Sequence, residues 1–124
     1  MESIFWFFFV SDVKRRTLNS NTLKVDLSTR RVWKGEQALQ LTKLEYEALE
    51  YLARRAGQMV TYQELWRDVW RHNDALDECE QRAVRQVIKR LRQKMGEDWR
   101  APQVLVCVRG VGFSCRVNHI TLVE

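Results

Sequence analysis

The segment AVRQVIKRLRQKM, residues 83–95, decides how the rest of the chain is read. Wound as a helix, it puts Val84, Val87, Ile88, Leu91 and Met95 within about 100° of arc, the width of a core-facing stripe. Arg82, Arg85, Gln86, Lys89 and Gln93 stand opposite, with Arg90 and Arg92 on the two shoulders. From Glu80 to Met95, six Arg or Lys face one Glu, a local charge of +5 that equals the formal net charge of all 124 residues. Residues 83–95 contain no acid, so the i,i+3 and i,i+4 ion pairs that usually support a surface helix cannot form there. Two accounts fit such a helix: a solvated face with a basic bias, or a face that meets a polyanion.

Outward from this segment, the pattern changes on both sides. Downstream, Gly96 stops the helix and EDWRAPQ (97–103) is a connector holding the one proline. VLVCVRGVGFSCRV (104–117) then gives two β-rich runs around Arg109 to Gly112, a hairpin with glycines to turn it. Upstream, RHNDALDE (71–78) has no periodicity and reads as a loop. LTKLEYEALEYLARRAG (41–57) has Thr42 and Glu45 at capping-box spacing, a Leu41–Tyr46 staple, and Gly57 to close the helix. VTYQELWRDVW (60–70) repeats the device with Thr61 and Glu64 in a shorter helix. TLKVDLSTRRVWKGEQALQL (22–41) alternates apolar and polar residues in short runs, the pattern of a small antiparallel sheet.

The order is small sheet, three helices, hairpin. This predicts an α+β fold, a winged helix-turn-helix, in which a basic third helix fits the major groove of a duplex and the hairpin reaches the neighbouring backbone or minor groove. The expected divisions are 1–21, an N-terminal apolar strand or linker remnant; 22–118, the winged helix-turn-helix; and 119–124, a C-terminal tail.

Composition narrows the alternatives. At 45% hydrophobic and 30% charged, the chain supports one globular domain with a modest core. A pI near 9.4 favours polyanionic partners, nucleic acid first. The run IFWFFFV (4–10) falls well short of the roughly 20 residues that span a bilayer. It also lacks the flanks of a signal peptide, so no membrane association is expected. Cys79, Cys107 and Cys115 lack CxxC spacing and only His72 and His119 accompany them, so neither a metal nor another cofactor is expected. The odd cysteine count suggests a reducing, cytoplasmic setting. Were the hairpin centred on Val111, Cys107 and Cys115 would face each other, either as two small buried side chains or as a redox pair. Isolated histidines and the absence of a third glycine after Gly110 and Gly112 argue against an enzyme.

LTKLEYEALEYLARRAGQMVTYQELWRDVW (41–70), IKRLRQKM (88–95) and VRGVGF (108–113) together resemble the effector domain of OmpR/PhoB-type response regulators, from about Thr22 to Val117. The resemblance implies a four-stranded N-terminal sheet, a three-helix core and a wing, with sequence-specific binding of double-stranded DNA and transcriptional regulation as the function. It implies that Arg109 approaches the minor groove and that the loop Arg71 to Glu78 can touch RNA polymerase. Trp70, closing the second helix, is either a phosphate donor or core packing. It also implies tandem or homodimeric binding to DNA repeats. Such regulators carry a receiver domain ahead of this one, so the chain is either an excised effector or controlled by other means. Phe113 stands where the family often has Tyr, and Arg85, Gln86 and Val87 depart from the common Asp-Val-His, so a different DNA preference is expected.

The roles follow from helical angle and charge, except those of Arg90, whose angle lies near the apolar edge, and of Trp70, which only the resemblance implies. Arg85, Gln86, Lys89 and Arg90 are expected to read bases, since Arg matches the O6/N7 edge of guanine and Gln the N6/N7 edge of adenine. Arg82, Arg92 and Trp70 are assigned to phosphate and Arg109 to the wing contact. The rival reading is a winged-helix protein-interaction module whose basic helix binds an acidic partner.

Overall fold

The computed structural model describes residues 22–97, 100, 104–116 and 120–124. The apolar run within 1–21, and the expectation attached to it, lie outside the described residues. The first strands are β1 (Leu23–Asp26), β2 (Arg31–Lys34) and β3 (Gln37–Leu39). They pair antiparallel, Val25 opposite Val32 and Trp33 opposite Ala38. Leu23, Val25 and Val32 are buried, as the period-two pattern requires.

Helix α1 (Lys43–Arg54) starts at the Thr42–Glu45 capping box and α2 (Tyr62–Asp68) at the Thr61–Glu64 box, both reciprocal as their spacing predicts. Between them lies the two-residue strand β4 (Val60–Thr61). Helix α3 spans Glu78–Met95 and ends at Gly96, whose φ of 71° is the left-handed conformation glycine adopts at least cost. Its start extends further upstream than the apolar periodicity indicates. Asp77 is the N-cap and Glu80 completes a third capping box, so Glu78 belongs to the helix rather than the loop. The acids in this first turn suit the positive end of the helix dipole. The stripe holds throughout: Val84, Val87, Ile88, Leu91 and Met95 are all buried.

The wing consists of β5 (Leu105–Val108) and β6 (Gly112–Cys115), with β4 completing a three-stranded sheet in the order β4-β6-β5. The two wing glycines serve different purposes. Gly110 turns the chain at φ 77°, within a turn closed by the Val111 N–H on Val108 O at 3.0 Å. Gly112 lies against β4, where an added Cβ would sit 1.9 Å from Val60 O. Only glycine permits that approach.

Two expectations need correction. Within the segment expected as a tail, Ile120–Val123 form β7, parallel to β1, giving a mixed sheet in the order β3-β2-β1-β7. The fourth strand of that sheet therefore comes from the C-terminal end of the chain. The hairpin is centred on Gly110, not Val111, because Val108 pairs with Gly112. Cys107 therefore faces Phe113, and Cys115 faces Leu105. The cysteines lie on a diagonal, where Cα atoms are typically about 7–8 Å apart and a disulfide does not form without backbone movement. Both are free thiols.

Candidate nucleic-acid interface

Helix α3 is oriented by contacts at its C-terminal end as well as by its apolar stripe. Lys94 donates to Glu45 Oε1 at 2.7 Å, and the same oxygen accepts the Thr42 N–H at 3.0 Å. Glu45 is only 2% exposed. Burial alone would raise its pKa, but Lys94 and Thr42 more than offset this and hold it below the ordinary glutamate value. Lys34, from β2, donates to Met95 O and places a cation at the negative end of the helix. One of the six cations counted in the sequence, Lys94, is thus committed to an internal ion pair.

With that end fixed, Arg82, Arg85, Gln86, Lys89, Arg90 and Gln93 are exposed. All but Arg90 line a groove of about 550 Å³ between α3 and the wing, closed on the far side by Cys107 and Phe113. Arg90 is exposed outside that lining. Arg109 and Val111 are exposed at the wing tip. Trp70 is half-buried against the core, its ring 6.4 Å from that of Trp66.

Arg92 also lines the groove, but less openly than the others. It is half-buried, and its Nη2 donates to Leu105 O on β5 at 3.2 Å. Beside it Glu97, read in the sequence only as part of a connector, accepts the N–H groups of Val104 at 2.6 Å and Leu105 at 2.9 Å. Arg92 and Glu97 thus tie the end of the helix to the base of the wing. Arg92 belongs to the frame of the groove.

The sequence reading also passed over Tyr62. This buried residue at the first position of α2 sets its ring edge-on to Phe113, with centroids 5.1 Å apart. Burial raises the pKa of its hydroxyl. The one hint in the sequence is an aromatic residue directly after the Thr61 cap.

The loop between α2 and α3 is held at several points. Gln63 donates to Asp74 O at 3.1 Å and accepts the Leu76 N–H at 3.2 Å. The His72 ring stacks on Trp66 with centroids 4.1 Å apart.

Two helices carrying a third, with a basic groove between that helix and a hairpin, define the class: a winged helix-turn-helix. Residues 35–115 match the family model described as "Transcriptional regulatory protein, C terminal", and the chain belongs to that family. It is 38% identical over 92 residues to the transcriptional regulatory protein AfsQ1 of Streptomyces coelicolor, covering 74% of this chain and 40% of AfsQ1. To the DNA-binding response regulator MtrA of Mycolicibacterium smegmatis it is 32% identical over 102 residues, covering 82% of this chain and 43% of MtrA. The chain thus spans about two-fifths of the length of these relatives. Among solved structures it resembles the Klebsiella pneumoniae RstA DNA-binding domain in complex with the RstA box, at TM-score 0.69 and 26% identity, covering 82% of this chain and 98% of that one.

Proposed function

We propose that this chain binds double-stranded DNA sequence-specifically and regulates transcription, with α3 in the major groove and the wing at the minor groove. The observation that carries the reading is the division of α3. Its apolar stripe is buried, while Arg82, Arg85, Gln86 and Lys89 are presented together beside the wing. That face has the width and donor chemistry to read a major groove. The solved RstA complex with its box, a domain of similar fold, supports the partner.

Arg85, Gln86 and Lys89 read base edges, with Arg90 contributing from outside the groove lining. Arg82 holds phosphate, Arg109 enters the minor groove, and Trp70 supports the second helix at the phosphate side. Arg92 is moved from the phosphate set to the frame of the groove, because one of its nitrogens, Nη2, donates to Leu105 O. The loop from Arg71 to Asp77 is exposed for most of its length yet anchored by Gln63 and Trp66, which suits a contact with RNA polymerase. Two copies pair on repeated half-sites, and a DNA partner puts the chain in the cytoplasm. No catalytic step is part of this function.

Selection of binding sites from random duplex DNA at physiological salt tests the proposal. An enriched motif is expected, and a pool that stays random overturns sequence-specific binding.

A further inference from the structure

Among the described residues, the sheet β3-β2-β1-β7 ends in β3 on one side and β7 on the other. Open sheet edges invite pairing with further strands and are normally blunted by shortness, charge or proline. β3 is only three residues long and follows the charged turn Lys34 to Glu36. β7 has no such protection, because Ile120–Val123 holds neither a charge nor a proline. Val123 O accepts the Leu27 N–H, so the backbone of Val123 faces β1. By the alternation along a strand, the N–H groups of Ile120 and Leu122 point to the open side. Leu122 also stands in register with Val25 and therefore shares the core face of the sheet. Val25 is wholly buried there, whereas Leu122 is 38% exposed. The core face thus runs out from under its cover at β7.

The sequence holds one segment suited to this position. IFWFFFV (4–10) consists entirely of strand-favouring apolar residues and lies outside the described fold. Alternation would put Phe5, Phe7 and Phe9 on one face and Ile4, Trp6, Phe8 and Val10 on the other, so either set can cover Leu122. Residues 11–22 join the run to β1 and reach about 40 Å when extended. The strand position beyond β7 lies only about 10 Å from β1, two strand spacings away. Ile120 sits beside Leu23, so an antiparallel strand on β7 would finish at the end from which β1 starts. No connection has to run back along the sheet. The tether also sets an effective concentration on the order of millimolar, which favours this segment over the edge of a second copy.

We propose that residues 4–10 dock on the open edge of β7 as a fifth, antiparallel strand, covering Leu122 and closing the sheet to other chains. The docking is intramolecular and independent of the roles given to α3 and the wing.

Amide hydrogen exchange of the full chain tests it. Ile120 and Leu122 should be protected to a degree that does not change with protein concentration. Phe7→Asp/Phe8→Asp, which puts a charge on each face of the run, should lower that protection by at least about tenfold. The amides of α3 should keep theirs, which separates undocking from unfolding. Nuclear Overhauser contacts between the rings of residues 5–9 and the Leu122 methyls should be present in the full chain and absent from the variant. Fast exchange at Ile120 and Leu122 in the full chain, protection without those contacts, or protection that survives in the variant overturns the proposal. Protection that rises with protein concentration, together with a dimer in sedimentation, also overturns it and assigns the edge to a second copy.

Discussion

Arg92 Nη2 donates to the carbonyl oxygen of Leu105 at 3.2 Å, joining the last turn of α3 to the first residue of β5. A side chain that helical geometry alone would place near solvent therefore ties α3 to the wing. Arg92→Ala should cost about 1–2 kcal/mol of stability, as expected for losing a charge-assisted bond to a buried carbonyl. The log–log salt slope of DNA binding should not change. A slope reduced by about one would return Arg92 to the phosphate contacts.

The two wing glycines should respond differently to alanine. Gly112→Ala forces a Cβ into Val60 O and the Thr61 Cα, both backbone atoms that cannot yield without parting β4 from β6. Thermal melts should register a loss of about 2–4 kcal/mol. Gly110→Ala meets open space and pays only for its positive φ, about 1 kcal/mol. Equal losses at the two positions would contradict the close approach of β4.

Acid should weaken the tie between α1 and α3. Glu45 titrates below its ordinary value in the fold, so its contribution is complete above the unfolded pKa, near 4.5, and fades as pH falls through the lower folded value. Glu45→Gln should cost about 1–2 kcal/mol at neutral pH, less than for a wholly buried pair, because the Lys94 side chain is 37% exposed. The variant should also lose part of the drop in stability between neutral pH and about pH 3. Urea midpoints measured across that range check both effects.

Thiol reactivity distinguishes the observed hairpin register from the alternative. Cys79 and Cys107 are exposed, whereas Cys115 is buried and its thiol is pushed up to about 12. An alkylating reagent at neutral pH should modify two thiols quickly and the third only on unfolding, since the thiolate is the reactive form. Mild oxidant should produce no disulfide between Cys107 and Cys115. Its formation without loss of structure would contradict the diagonal placement.

The parts of the fold that sequence made legible are local. Thr42 with Glu45, Thr61 with Glu64, Gly96 and the α3 stripe each carry their signal within one or two turns, and each forms as its spacing predicts. The Asp77–Glu80 box has the same signature but sits in an acidic stretch without apolar period, so the helix reads as starting too late. What escaped depends on distant partners. Nothing near Ile120 announces that β1, nearly 100 residues earlier, will accept it as a parallel neighbour. The wheel puts Arg92 on a shoulder of the helix, but the carbonyl that it meets there, Leu105 O, lies thirteen residues on and could not be read from the helix. Gly112 passes for a turn residue until β4 is in place. Of the groove, the residue types and the face were legible, and the props behind it, Tyr62 and Glu97, were not.

The account stands most directly on how affinity for duplex DNA responds to salt. If the exposed cations of α3 and the wing meet phosphate, the association constant should fall by more than about tenfold between about 50 and 200 mM monovalent salt, linearly on a log–log plot. The fall should become shallower in Arg82→Ala and Arg109→Ala. An affinity for duplex DNA that is absent, or that holds level across that range, would contradict it and favour an acidic protein partner for the same face.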